Sequence, residues 1–154
     1  MGMATDSRLA MPQWNRGPYR ISTDPAELDL DVIFGFLSKS YWASDSSRSQ
    51  VEASIRGSIP FGLFSPEGQV GFARVVTDRA TFAWLSDVFV LDAHRGGGLG
   101  KFLVESVLAH PELQNLRRWL LGTADAHGLY AQFGFQPLPM PERFMQILRR
   151  AADR

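Results

Sequence analysis

The chain has 154 residues, 45% apolar and 21% charged, which suits one globular domain with its own core and leaves little room for a second. Sixteen basic and sixteen acidic side chains cancel, so no broad cationic field argues for nucleic acid or a membrane as partner. Cysteine is absent, which excludes disulfides, thiolate metal sites and a cysteine nucleophile.

Residues 1–17 are polar, punctuated by Gly and Pro and without period, and are expected to form a loose N-terminal arm before a single domain over 18–150. They lack the apolar core of a signal peptide, and no stretch approaches the ~20 apolar residues of a membrane span, so a cytoplasmic location is expected. Tyr19–Thr23 reads as a first strand, stopped by Asp24-Pro25. Leu30, Ile33, Phe34 and Leu37 then recur at helical spacing. After the loop SKSYWASDSS a second helix is expected, capped by Ser46 or Ser47, with Val51 and Ile55 on one face.

IPFGLFS and QVGFARVVT flank Ser65-Pro66-Glu67-Gly68, whose Pro and Gly suit a type I turn closing a hairpin. A turn at Asp78-Arg79-Ala80 leads into the strand TFAWLSDVFVL. A helix is expected from about Gly98 to Leu108, ended by Pro111. LRRWLLGT reads as a strand, DAHGLYAQFG as a short helix capped by Asp125 and stopped by Gly134, and RFMQIL as a last strand. The order β-α-α-β-β-β-α-β-α-β predicts an α+β fold with a mixed sheet. The strands near Leu91 and Leu120 are joined through a helix and should run parallel.

The stretch Arg95-Gly96-Gly97-Gly98-Leu99-Gly100-Lys101 stands between a strand and a helix. Four glycines there give up much backbone freedom on folding. A helix N-terminus presents unpaired N–H groups and a partial positive charge, and glycine lets phosphate oxygens approach them. A phosphate site over residues 95–101 follows, with Arg95 and Lys101 at its ends. It is not a P-loop, because Phe102 stands where Ser or Thr must hold magnesium. Nor is it a dinucleotide fingerprint, since the last glycine of that motif would fall on Lys101 or Leu103.

The pattern Arg-x-x-Gly-x-Gly, preceded five residues earlier by Val90 and followed by Leu103, resembles the coenzyme A loop of the GNAT superfamily of N-acetyltransferases. A second signature agrees: Ala126, Leu129, Tyr130, Gly134 and Phe135 stand at that family's spacing. The resemblance implies a central mixed, mostly antiparallel twisted sheet with two splayed parallel strands and about four helices. It implies an acyltransferase that uses acetyl-coenzyme A as co-substrate, needs no metal, and acetylates a small-molecule or protein amine, with a homodimer open. The amides of Gly96, Gly97, Gly98, Leu99 and Gly100 would hold the diphosphate, the backbone of Phe89 and Val90 would pair with the pantetheine arm, and Thr123, Ala126 and Tyr130 would complete the cofactor side.

Tyr130 is implied as the acid that protonates the leaving thiolate, against the plainer reading of a ring packed on the core. Gly128, inside the helix, costs roughly 1 kcal/mol relative to alanine, which suggests a close neighbour. A base is harder to place. The strand positions where family members carry Glu or His are here Ser86 and Trp84. Asp87, among Leu85, Val88 and Phe89, is a candidate base or amine ligand if a bulge turns it toward the cleft; otherwise it is a hydrogen-bonded carboxylate that fixes a loop. His127 is a second candidate. Tyr41, Trp42, Ser86 and Asp87 form the expected acceptor side, although Tyr41 and Trp42 could equally pack under their loop. The competing function is a coenzyme A-binding sensor or scaffold without turnover.

Overall fold

The computed structural model describes residues 11–154; the first ten, which belong to the expected arm, lie outside the described residues. The rest form a six-stranded sheet in sequence order: β1 (Gln13–Arg16), β2 (Tyr19–Ser22), β3 (Ile59–Ser65), β4 (Gly68–Thr77), β5 (Phe82–Val90) and β6 (Arg118–Leu120). Neighbours are antiparallel except β5 and β6, which are parallel, as a connection through a helix requires.

Helices α1 (Leu30–Leu37) and α2 (Arg48–Arg56) cover one face, and α3 (Leu99–Leu108) with α4 (His127–Ala131) covers the other. Two apolar clusters correspond to these faces. Ile33, Leu37, Val51, Ile55, Phe72 and Phe89 pack together on the first. Leu63, Val75, Leu99, Leu103, Val107 and Tyr130 belong to the second. A sheet covered on both faces explains why β3 is buried residue after residue through Phe64 rather than alternating.

Local chemistry sets the ends of the elements. Ser47 caps α2 in a reciprocal box: its Oγ accepts from Gln50 N–H at 3.2 Å, and Gln50 Oε1 accepts from Ser47 N–H at 2.8 Å. Pro66-Glu67 closes the β3–β4 hairpin, with Ser65 opposite Gly68. Asp78 accepts from the amides of Ala80, Thr81 and Phe82 and from the Thr81 hydroxyl, which holds its carboxyl well below the usual range.

Three expectations are corrected. Residues 13–16 are a strand rather than part of a loose arm: Trp14 stacks on Phe61 at 5.9 Å, and Gly17 at φ 56° makes the tight turn into β2. Residues 143–148 form no strand, because nothing among the described residues pairs with them. Asp125 does not cap α4; the Thr123 hydroxyl accepts from the amides of Asp125 and Ala126, and Ala126 is the N-cap residue.

Candidate active site

β5 is the element that makes the site. Its register against β4 slips: Phe72 faces Phe89, whereas Arg74 faces Ser86, so Asp87 and Val88 together oppose Ala73. This is a β-bulge, and within it Asp87 takes a left-handed φ of 55°. Pairing with β6 involves only Phe82, Ala83 and Trp84. Beyond Trp84 the two parallel strands part, as expected, and the β6-facing edge of residues 85–90 is free of ladder bonds.

A cavity of about 420 Å³ fills that opening. Tyr41, Trp42, Trp84, Ser86 and Asp87 line it together with Thr123, Ala126 and Tyr130. The structure therefore brings all four expected acceptor-side residues together with three of the cofactor-side ones. The α1–α2 loop is pinned over the opening by the Tyr41 hydroxyl, which accepts from Ala124 N–H at 3.1 Å.

Asp87 is buried, and both its oxygens are engaged. Oδ2 accepts from Arg74 Nε–H at 2.6 Å and Oδ1 from Trp42 Nε1–H at 2.8 Å. Arg74 also donates to Ser58 Oγ at 3.1 Å. The bulge thus turns Asp87 toward the cleft, and the carboxylate ties the acceptor loop to the sheet while its charge is matched by Arg74. Sequence reasoning missed Arg74; its signal was a lone cation in the otherwise apolar run VGFARVV.

Tyr130 packs its ring on the core, edge-on to Phe135 at 5.8 Å, and also forms part of the cavity wall. The structure thus bears out the packing of this ring on the core and places it on the cavity wall as well. Burial, with smaller contributions from Tyr41 and Asp125, pushes its pKa up to about 12. His127 is exposed and does not line the cavity. A side chain at Gly128 would meet nothing within 4 Å, so no neighbour forces that glycine.

The glycine loop follows the end of β5. Gly96 and Gly98 have φ of 89° and 79°, which side chains rarely adopt, and Gly98 is the N-cap residue of α3. Around Gly96, Gly97 and Gly98 the space is open, with nothing within 4 Å of a built Cβ. Arg95 is partly committed: its Nε donates to the Val90 carbonyl at 2.9 Å, and it pairs with Asp92 at 2.8 Å. Lys101 is exposed on the first turn of α3. Leu91 N–H donates to the Val70 carbonyl, so Val90 occupies a non-hydrogen-bonded position opposite Gly71, and its own N–H points away from β4 into the opening. Bare amides, an unpaired strand edge and open space are what a diphosphate carried on an amide-bearing arm needs. No helix among the described residues is long and apolar enough to cross a membrane.

The Acetyltransferase (GNAT) domain profile matches residues 61–137. A Gibberella zeae protein named "Putative acetyltransferase" is 34% identical over 148 residues, covering 80% of this chain and 82% of that one. The crystal structure of a "putative acetyltransferase belonging to the gnat family" from Xanthomonas campestris pv. campestris superposes with a TM-score of 0.83 at 47% identity, over 86% of this chain and 94% of that one. Glucosamine-6-phosphate N-acetyltransferase from Arabidopsis thaliana shares the fold at a TM-score of 0.59 and 15% identity, over 85% of this chain and 97% of that one. The bulged β5, its parting from β6 and the glycine loop before α3 thus sit in a sequence and a fold that agree, and the chain belongs to the GNAT acetyltransferase superfamily.

Proposed function

We propose that the chain is an N-acetyltransferase that moves an acetyl group from acetyl-coenzyme A directly onto a primary amine within a ternary complex. One observation carries the reading: the opening between β5 and β6 has Tyr130 on its wall, and the loop that follows β5 sets Gly96, Gly97 and Gly98 in open space. The open space before Gly96, Gly97 and Gly98 fits a diphosphate, and the free edge of residues 85–90 fits the pantetheine amides. Without a cysteine the usual acyl-enzyme route is missing, which favours direct attack.

In this mechanism the amine nitrogen, as the free base, bonds to the thioester carbonyl carbon. The oxyanion is stabilised by the Val90 N–H that faces the opening. The carbon–sulfur bond then breaks and the electron pair leaves on sulfur. With a pKa of about 12, the Tyr130 phenol stays protonated across the working range. Complete transfer of its proton to a thiolate, whose reference pKa is about 8.5, would run uphill by roughly 5 kcal/mol. Tyr130 therefore acts first by donating a hydrogen bond to the charge building on sulfur. The proton released by the acylated nitrogen restores the thiol through solvent. Asp87 holds Trp42 and the acceptor loop in place and matches the charge of Arg74.

The test is thiol release across a panel of amines, with mass detection of the N-acetyl product. Product from at least one amine, and turnover that falls in Tyr130→Phe while acetyl-coenzyme A still binds, is the expected result. Tight acetyl-coenzyme A binding with no product from any amine would turn the reading to the sensor or scaffold, which the full engagement of Asp87 by Arg74 and Trp42 favours.

A further inference from the structure

Three large aromatic rings stand in one cavity and are not buried by the core. Tyr41 is 63% exposed, Trp42 40% and Trp84 38%, and all three line the opening between β5 and β6. Polar edges hold the first two. Trp42 donates its indole N–H to Asp87, the Tyr41 hydroxyl accepts from Ala124 N–H, and the two ring planes stand at 78° with centroids 5.0 Å apart. Trp84 is carried by β5. Its partner is Val76, as Ser86 is the partner of Arg74 and Phe89 of Phe72, so Trp84 points to the face on which Phe72 and Phe89 meet α1 and α2. Exposed rings that are already held in place lose little further freedom when a ligand meets them.

The charge around these rings has one sign. Among the described residues no Lys, Arg or His lines the cavity, whereas Asp87 and Asp125 do. Asp87 is matched by Arg74. The Asp125 carboxylate is exposed and forms no ion pair among the described residues. It lies close enough to Tyr130 for its charge to raise the pKa of that phenol. Ring faces are themselves electron-rich and attract a cation within about 6 Å of the centroid. Rings and carboxylate together suit a positive charge.

A single amine gains little from such a field when it reacts. It must attack as the free base, whereas the rings and Asp125 favour its protonated form, and only interactions stronger in the transition state speed the reaction. A second nitrogen removes the conflict. It keeps its proton and rests on the rings while the first reaches the thioester. Its charge, a few methylenes away, also lowers the pKa of the first amine and raises the fraction present as free base. On the acetyl-transfer reading, on which this inference rests, we propose that the acceptor is an aliphatic diamine whose second, protonated nitrogen is bound by the rings of Tyr41, Trp42 and Trp84 with Asp125 as its counter-charge. No bond to that nitrogen changes in the reaction. The cavity of about 420 Å³ accommodates such a small molecule beside the thioester.

Tetramethylammonium cannot be acetylated, so it probes the rings without turnover. In calorimetry it should bind the full chain about tenfold or more tighter than neutral tert-butanol. Trp84→Leu and Asp125→Asn should each shrink that preference. In kinetics, kcat/KM for diaminobutane should exceed that for pentylamine, where a methyl group replaces the second nitrogen, by about tenfold or more. Phenethylamine should also fall below diaminobutane, and both ratios should drop in the same two variants. A preference for tetramethylammonium that both variants lose, with no acetyl product from any amine, would support the ammonium site and overturn acetyl transfer instead. Tetramethylammonium bound no better than tert-butanol, or pentylamine or phenethylamine acetylated as well as diaminobutane, overturns the diamine acceptor while acetyl transfer stands.

Discussion

Asp87→Asn isolates what the bulge carboxylate does. Asparagine has almost the same volume and is one of the few residues that tolerate a left-handed backbone, so the φ of 55° adds no new strain. An amide oxygen can still accept from Trp42. What disappears is the negative charge 2.6 Å from Arg74, whose side chain is 17% exposed. Removing one partner of a buried pair costs about 3–5 kcal/mol, because the other charge is left unmatched. Arg74 keeps Ser58 and some solvent, which places the expected loss at the lower end, about 3 kcal/mol. Urea unfolding measures it, as a lower midpoint at an unchanged slope. The double variant Arg74→Gln with Asp87→Asn should recover most of the loss, since no lone charge remains. In kinetics, Asp87→Asn should raise the acceptor KM through a loosened Trp42 and leave the shape of the pH profile unchanged. A stability loss below about 1 kcal/mol, or a double variant no better than the single, would refute the pairing argument. A pH profile that loses its acidic limb would make Asp87 the base.

Tyr130→Phe should lower kcat about 10²-fold or more and leave the acetyl-coenzyme A Kd within a few-fold, by stopped flow and calorimetry. The same tyrosine gives a stability test. Its folded pKa of about 12 lies above the unfolded value near 10, so its contribution is complete below pH ~10 and is lost as pH rises toward ~12; Tyr130→Phe should flatten that alkaline decline. Gly97→Ala places a methyl group in open space without a left-handed φ. It should leave the melting temperature unchanged and weaken acetyl-coenzyme A binding about tenfold or more, whereas Gly98→Ala should also destabilise by roughly 1–2 kcal/mol. Equal affinities for wild type and Gly97→Ala would remove the loop from the diphosphate. His110 is buried, with Nδ1 accepting from Glu112 N–H, and burial lowers its pKa. Its contribution is therefore present above pH ~6.5 and lost as pH falls through the lowered folded value; His110→Gln should show less acid sensitivity in urea unfolding.

What could be read in the sequence was local. The glycine loop, the Ser47 cap, the Pro66-Glu67 turn and the Tyr130 helix each depend on residues within a few positions of one another, so spacing alone carries them. The bulge was foreseeable because a carboxylate among Leu85, Val88 and Phe89 needs a reason. Its partners were not: which cation faces Asp87 depends on the slipped register between β4 and β5, and the Trp42 contact depends on where a loop 45 residues earlier comes to rest. β1 was missed because four residues give no period, although Gly17-Pro18 beside Trp14 is a turn beside an apolar anchor.

The strand expected at 143–148 fails for a different reason, and the difference is physical. A strand is half of an interaction. Apolar and β-branched residues specify that a segment can pair, not that its own chain supplies the edge. At β1 the edge exists, since Trp14 lands on Phe61 and Gln13 to Arg16 pair with β2. At 143–148 the local propensity is stronger, yet the prolines before it carry the segment away from any turn that would bring it back. The sequence thus encodes a segment able to pair, and among the described residues that pairing is unmade.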